Sequence, residues 1–226
     1  MSLSKKEYWE KAHNRALEYI GRGGSDGYKE LLALSNSQPA EALGYGFDAK
    51  LRIHRTLKSD RIVSDFTVSY TTYSFYWCDL LIASSPKGIC FLGFISSDMD
   101  VESILKKNFP RCKLVNCLQP IHLQLIAGLE QEGAFFLDVH LIGTSFQLAV
   151  WDKLLTLASK QYITYKELAE SLHFGKAYQA IGSAVGMNPI SLLIPCHQVL
   201  SSAKKLTGYR WGVDLKLTLL IGQSEI

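Results

Sequence analysis

No run of apolar residues in this chain is long enough to cross a membrane, and nothing at its start reads as a secretory signal. Cysteine is scarce and odd in number: Cys78, Cys90, Cys112, Cys117 and Cys196. An odd count without a signal argues against a disulfide framework and for free thiols in a reducing, cytoplasmic setting. Metal-ligand spacing is missing as well. Cys112 and Cys117 stand too far apart for the usual zinc knuckle, and no paired histidines accompany them. No metal, cofactor or membrane partner is expected. Strong charge of one sign is absent too, with a net of +3 over 226 residues. Its distribution is uneven. Residues 62–142 hold 5 Lys/Arg against 8 Asp/Glu, net −3, whereas 143–226 hold 8 against 5 and 1–61 hold 11 against 8. Basic ends around an acidic middle permit a polyanion partner without requiring one.

What remains is a globular composition, 47% hydrophobic, enough for a substantial core. Residues 5–20 predict an amphipathic helix, with Trp9, Ala12, Ala16, Tyr19 and Ile20 on one face. Gly21, Gly23, Gly24 and Gly27 break it, and a short helix at 28–34 follows. The basic run Lys50, Arg52, Arg55, Lys58 and Arg61 reads either as a solvated helix face or as a nucleic-acid arm. Residues 66–82 are rich in strand formers and pair, across a turn at 84–88, with a return strand at 89–94. Helices at 99–108 and 120–131 and a strand at 135–141 complete a small α+β unit over 62–142. From Gly143 onwards the pattern is helical. Thr144 with Gln147, and Thr164 with Glu167, have capping-box spacing and open helices to about 157 and 172. Gly175 turns the chain into a third helix at 176–187, rich in small residues. Two short helices about a glycine turn read as a helix-turn-helix or as an ordinary helical hairpin.

The chemistry centres on Ile194-Pro195-Cys196-His197-Gln198-Val199. Thiolate is the nucleophilic form of cysteine, and an adjacent histidine helps remove its proton. Pro195 disfavours a regular helix through this stretch. A buried cysteine beside a structural histidine satisfies the same residues. The flanking motifs separate the two readings.

Those motifs are GTSFQLAVW (143–151), ITYKELA (163–169), AIGSAVGMNP (180–189), IPCHQV (194–199) and GYRWG (208–212) followed by Lys216. Together, in this order, they resemble the O6-alkylguanine-DNA alkyltransferase family. Residues 62–142 resemble its N-terminal part more loosely, and 1–61 fall outside as an unassigned extension. The resemblance implies an α+β fold. A small N-terminal α/β domain with an antiparallel sheet (62–142) precedes a helical catalytic domain with a winged-helix-like helix-turn-helix (143–226). It implies a monomer that binds double-stranded DNA containing O6-alkylguanine, flips the base and takes the alkyl group once onto Cys196. By that analogy His197 is the base, Tyr165 assists proton delivery and Asn188 orients the Cys-His region. Val199 and Tyr209 line the base pocket, and Ala177, Tyr178, Gln179 and Gly182 meet DNA.

The chain departs from the family at several of these places. Gln179 stands where the family has an arginine that fills the gap left by the base, and Tyr178 precedes it in place of a small or aliphatic residue. Gln198 stands for an arginine, and Gln223 for the glutamate that partners the histidine, with Glu225 two residues on. These losses of charge leave a second reading, a non-catalytic or weakly catalytic DNA-binding sensor or regulator of alkyl damage.

Overall fold

The computed structural model describes residues 4–21, 49–60, 66–131, 133–158, 161–203, 206 and 208–224, with backbone alone at 223–224. The helix expected at 28–34 lies outside them, as does Arg61. Packing divides the chain into two units. One gathers Met1–Gly46, Val150–Met187 and Pro195–Ile226, and the other Phe47–Ala149 and Asn188–Ile194.

The second unit is built on a six-stranded sheet. Its strands are β1 (Ala49–Leu57), β2 (Thr67–Phe75), β3 (Cys78–Ser85), β4 (Gly88–Ile95), β5 (Lys113–Asn116) and β6 (Phe135–Gly143), in the order β1-β6-β4-β3-β2-β5. The sheet is mixed, which corrects the antiparallel expectation. Among the described residues β2–β3 and β3–β4 are antiparallel hairpins, while β1–β6, β4–β6 and β2–β5 run parallel. Parallel neighbours need a long crossover, and here helices α2 (Val101–Asn108) and α3 (Pro120–Glu130) lie in the connections. β3 and β4 are buried along almost their whole length, as unbroken apolar runs such as Leu80-Leu81-Ile82-Ala83 require.

Two local expectations change. The stretch 66–82 is two strands, because the chain reverses at Tyr76–Trp77 with Tyr76 at φ 44. No glycine or proline marks that turn. At the next one Gly88 has φ 138, and a Cβ there would lie 2.4 Å from the Asp138 carbonyl oxygen, so glycine is required. The basic run is not a helix face over 49–57. It is β1, with Leu51 and Ile53 partly buried while Lys50, Arg52 and Arg55 stay exposed. Asp100 caps α2 by accepting from the backbone of Glu102 and Ser103. Asn188–Ile194 belongs with this sheet: Leu92 donates to the Pro189 carbonyl at 2.9 Å and Ser191 to the Leu92 carbonyl at 2.7 Å.

The first unit is helical. α1 (Lys5–Gly21) buries Tyr8, Trp9, Ala12 and Ala16, whereas Ile20 is exposed, contrary to its expected inward place. α1 packs on α7 (Val213–Ser224). The Tyr8 hydroxyl donates to the Gly222 carbonyl at 2.6 Å, and Trp9 covers Gly222 so closely that a Cβ there would fall 2.1 Å from its ring. The first helix of the supposed extension is therefore part of the helical unit's core. α4 (Ser145–Leu154) opens on the expected Thr144–Gln147 box and stops three residues short of 157. Among the described residues no helix is long and apolar enough to cross a membrane.

Candidate active site

The helix pair comes first. Thr164 caps α5 (Tyr165–Ser171): its hydroxyl accepts from the Glu167 N–H at 3.1 Å, and the Glu167 carboxylate accepts from the Thr164 N–H at 2.7 Å. The turn into α6 (Tyr178–Gly186) uses two left-handed residues, His173 at φ 57 and Gly175 at φ 56. Ala177 is the N-cap of α6 and offers no side-chain acceptor, and the first helical N–H, that of Tyr178, donates to the Lys176 carbonyl at 2.8 Å. Tyr178 and Gln179 are exposed there. Gly182 faces inward, where a Cβ would meet the Tyr165 ring at 3.8 Å. The Trp151 indole ties α6 down by donating to the Ala184 carbonyl at 2.9 Å.

A two-stranded parallel ladder then joins motifs far apart in sequence. β7 (Ile163–Thr164) pairs with β8 (Val199–Leu200), Ile163 opposite Val199. Tyr165 begins α5 directly after β7. Cys196, His197 and Gln198 form a single 3₁₀ turn directly before β8. All three turn residues are buried, Cys196 at 4% exposure. Pro195 ahead of them has φ −78 and ends any regular helix, as its ring dictates. Cys196 Sγ makes a long contact of 3.8 Å with the Tyr209 hydroxyl. Gln198 points inward and donates to the Ala158 carbonyl at 3.3 Å.

Lys216 of α7 is 1% exposed, and its Nζ donates to the Val199 carbonyl at 2.7 Å. Burial lowers its pKa to about 8, and attraction to Cys196 works against that fall. Burial also lowers Arg210, and there too Cys196, with Tyr209, opposes the shift. Its guanidinium stacks 4.7 Å from the Trp211 ring centroid. Cys196 thus sits in the field of two cations, the environment in which a thiolate is stabilised. Burial pushes Cys78 up to about 12 and raises Cys90 and Cys112. Lys216 and Arg210 had no assigned role in the sequence. The available signal was a lone lysine inside the apolar run Leu215–Ile221.

Asn188 falls in the sheet unit. Its Oδ1 accepts from the Ile190 N–H at 3.0 Å, and its Nδ2 donates to the Ile194 carbonyl at 3.1 Å. The side chain of Gln223 and all of Glu225 lie outside the described residues. Among the described residues no cluster of His, Cys, Asp and Glu is arranged to hold a metal.

Residues 145–223 match the family model described as the 6-O-methylguanine DNA methyltransferase DNA binding domain. The inducible methylated-DNA–protein-cysteine methyltransferase of Bacillus subtilis is 35% identical over 159 residues, 64% of this chain and 88% of that protein. A methylated-DNA–protein-cysteine methyltransferase of Methanosarcina barkeri is 36% identical, over 62% of this chain and 87% of its own length. The Mycobacterium tuberculosis O6-methylguanine methyltransferase structure superposes with a TM-score of 0.56 at 28% identity, covering 70% of this chain and 93% of that one. Sequence motifs, sheet, helix pair and cysteine turn agree with these likenesses: the chain belongs to the methylated-DNA–protein-cysteine methyltransferase family.

Proposed function

We propose that this protein repairs double-stranded DNA by moving the alkyl group of O6-alkylguanine onto Cys196, once per molecule. The observation that carries the reading is a buried thiol on a tight turn beside the Tyr209 hydroxyl, whose attraction opposes the fall in pKa that burial imposes on both Lys216 and Arg210. In the step, Sγ bonds to the alkyl carbon as the carbon–O6 bond breaks. The thiol proton leaves to His197 through a water, and the departing guanine gains a proton with the help of Tyr165. The product is a thioether, which has no low-energy route back to thiol. The protein is a reagent rather than a recycling catalyst.

The other roles follow from position. Asn188 holds the Ile194 carbonyl and so fixes the chain one residue ahead of Pro195. Val199 and Tyr209 border the base, the Tyr209 hydroxyl beside the attacking sulfur. Helices α5 and α6 act as a winged-helix-like helix-turn-helix. Ala177, Tyr178 and Gln179 meet the minor groove at the start of α6, which no side chain caps and where the helix dipole favours phosphate. Gly182 lies beside the Tyr165 ring, with space for an ordinary van der Waals contact. The related Mycobacterium tuberculosis OGT has been solved in complex with DNA, with a TM-score of 0.54 at 26% identity. The protein works as a monomer in a reducing cytoplasm, in keeping with five free cysteines. Residues 62–142 serve as scaffold and 143–226 as the reacting part.

The alternative, a sensor that binds alkylated DNA without reacting, draws on the uncharged Gln179 and the inward, backbone-bonded Gln198. Stoichiometry separates the two. With a duplex carrying radiolabelled O6-methylguanine in excess, label on the protein rises to one methyl per molecule and stops. No label on protein that still binds the duplex supports the sensor.

A further inference from the structure

The sheet unit holds a cleft of about 670 Å³, distinct from the cysteine turn, lined by Arg52, His54, Ser69, Ser84, Lys87 and Asp138 among others. Several of its polar groups are placed to give hydrogen bonds. His122 Nδ1 accepts from the Gln119 backbone N–H at 3.2 Å, so the ring proton of neutral His122 is on Nε2. That Nε2–H donates to Ser84 Oγ at 2.8 Å. Burial keeps His122 neutral at pH 7, with a pKa lowered to about 4. Ser84 is 4% exposed and already accepts, so its own hydroxyl hydrogen is left to point elsewhere.

Ser69 repeats the arrangement. It accepts from Gln119 Nε2 at 3.3 Å, and it stands directly across from Ser84 in the β2–β3 register. Cross-strand partners on one face lie about 5 Å apart, close enough to serve one ligand. The charges agree. Arg52 and Lys87 face the cleft against the one carboxylate of Asp138. That carboxylate is engaged by His54 at 2.9 Å and Arg52 at 3.5 Å. The Lys87 ammonium has a long 3.4 Å bond to Thr56 Oγ1.

We infer that this cleft is a binding site for a phosphate group, with Ser69 and Ser84 hydroxyls, the Lys87 ammonium and the Arg52 guanidinium as donors. Two hydroxyl donors and two cations suit a tetrahedral oxyanion with several acceptor oxygens better than a planar carboxylate with two. The phosphate belongs either to a free phosphomonoester or to a nucleic-acid backbone.

The test is amide NMR on the full chain, titrated with inorganic phosphate, thymidine monophosphate and an undamaged duplex. Saturable shifts at Ser69, Ser84 and Lys87, weakened about tenfold or more in Arg52→Gln/Lys87→Gln, uphold the site. Both substituted residues lie at the surface of the cleft, and an unchanged spectrum elsewhere shows that the variant is folded. If phosphate and thymidine monophosphate shift these amides and the duplex does not, the ligand is a free ester. If the duplex shifts them and phosphate displaces it, the source is the backbone. No shift with any probe, or shifts unchanged in the double variant, overturns the inference.

Discussion

Lys216 Nζ donates at 2.7 Å to the carbonyl of Val199, three residues after Cys196, from a position only 1% exposed. Burial of that ammonium is costly, and its pKa falls to about 8 from 10.5. The sign follows from linkage. Between these values the unfolded chain binds the proton and the folded chain does not, so this group makes stability rise with pH there. The cost is carried in full at neutral pH, where the charge faces Cys196.

Lys216→Met is therefore expected to slow methyl transfer at pH 7 by about tenfold or more, since about 1.4 kcal/mol of lost thiolate stabilisation suffices. The variant regains rate as pH rises, because the thiol then ionises without help. Single-turnover rates between pH 7 and 9 read this out. An unchanged rate at pH 7 removes Lys216 from the account.

Gln179 is exposed at the start of α6, so charge there can change without a folding cost. Gln179→Arg should tighten duplex binding and steepen the fall of affinity with salt by about one unit of log–log slope. Binding isotherms at several salt concentrations measure both. Unchanged affinity would assign the gap-filling role to Tyr178.

Trp9 and Gly222 lock α1 to α7, the helix that carries Lys216. Gly222→Ala forces a Cβ into the indole and should cost about 1–3 kcal/mol. Trp9→Ala should cost about 3–5 kcal/mol. In the double variant the cavity takes up the new methyl, so the losses are less than additive. Denaturant midpoints for the four proteins close the cycle, and strict additivity contradicts the contact.

His122 and His140 are buried, and burial, the largest cause for each, lowers their pKa values to about 4 from 6.5. Below pH 6.5 the unfolded chain takes up protons that the folded chain refuses. Stability is therefore fully present above that pH and falls towards pH 4, by up to about 1.4 kcal/mol per unit for each histidine. Chemical denaturation at pH 7 and pH 5 tests the slope, and His140→Gln should make it shallower.

Much of this was legible in local sequence. The capping boxes at Thr144 and Thr164 are short-range devices, and both formed where the spacing placed them. The helix start at Pro120 and the turn at 84–88 were marked for the same reason. What escaped was set at long range. β1 carries alternating Leu51 and Ile53, but its cations masked a strand whose partner is β6, over eighty residues away in the register of Lys50 with Phe136. The parallel pairings have no local signature. The turn at Tyr76 lacks the residues that usually mark one. In the site, Cys196 and His197 were visible as a motif. The two cations were not singled out, because their bearing on Cys196 depends on the α7 fold and the 3₁₀ turn.

The most direct test of the central claim is peptide mass mapping after incubation with a duplex containing O6-methylguanine. One added methyl on the peptide bearing Cys196, unmodified Cys78, Cys90, Cys112 and Cys117, and no transfer by Cys196→Ala that still binds the duplex are the predicted results. Methyl on another cysteine, or transfer persisting in Cys196→Ala, contradicts it.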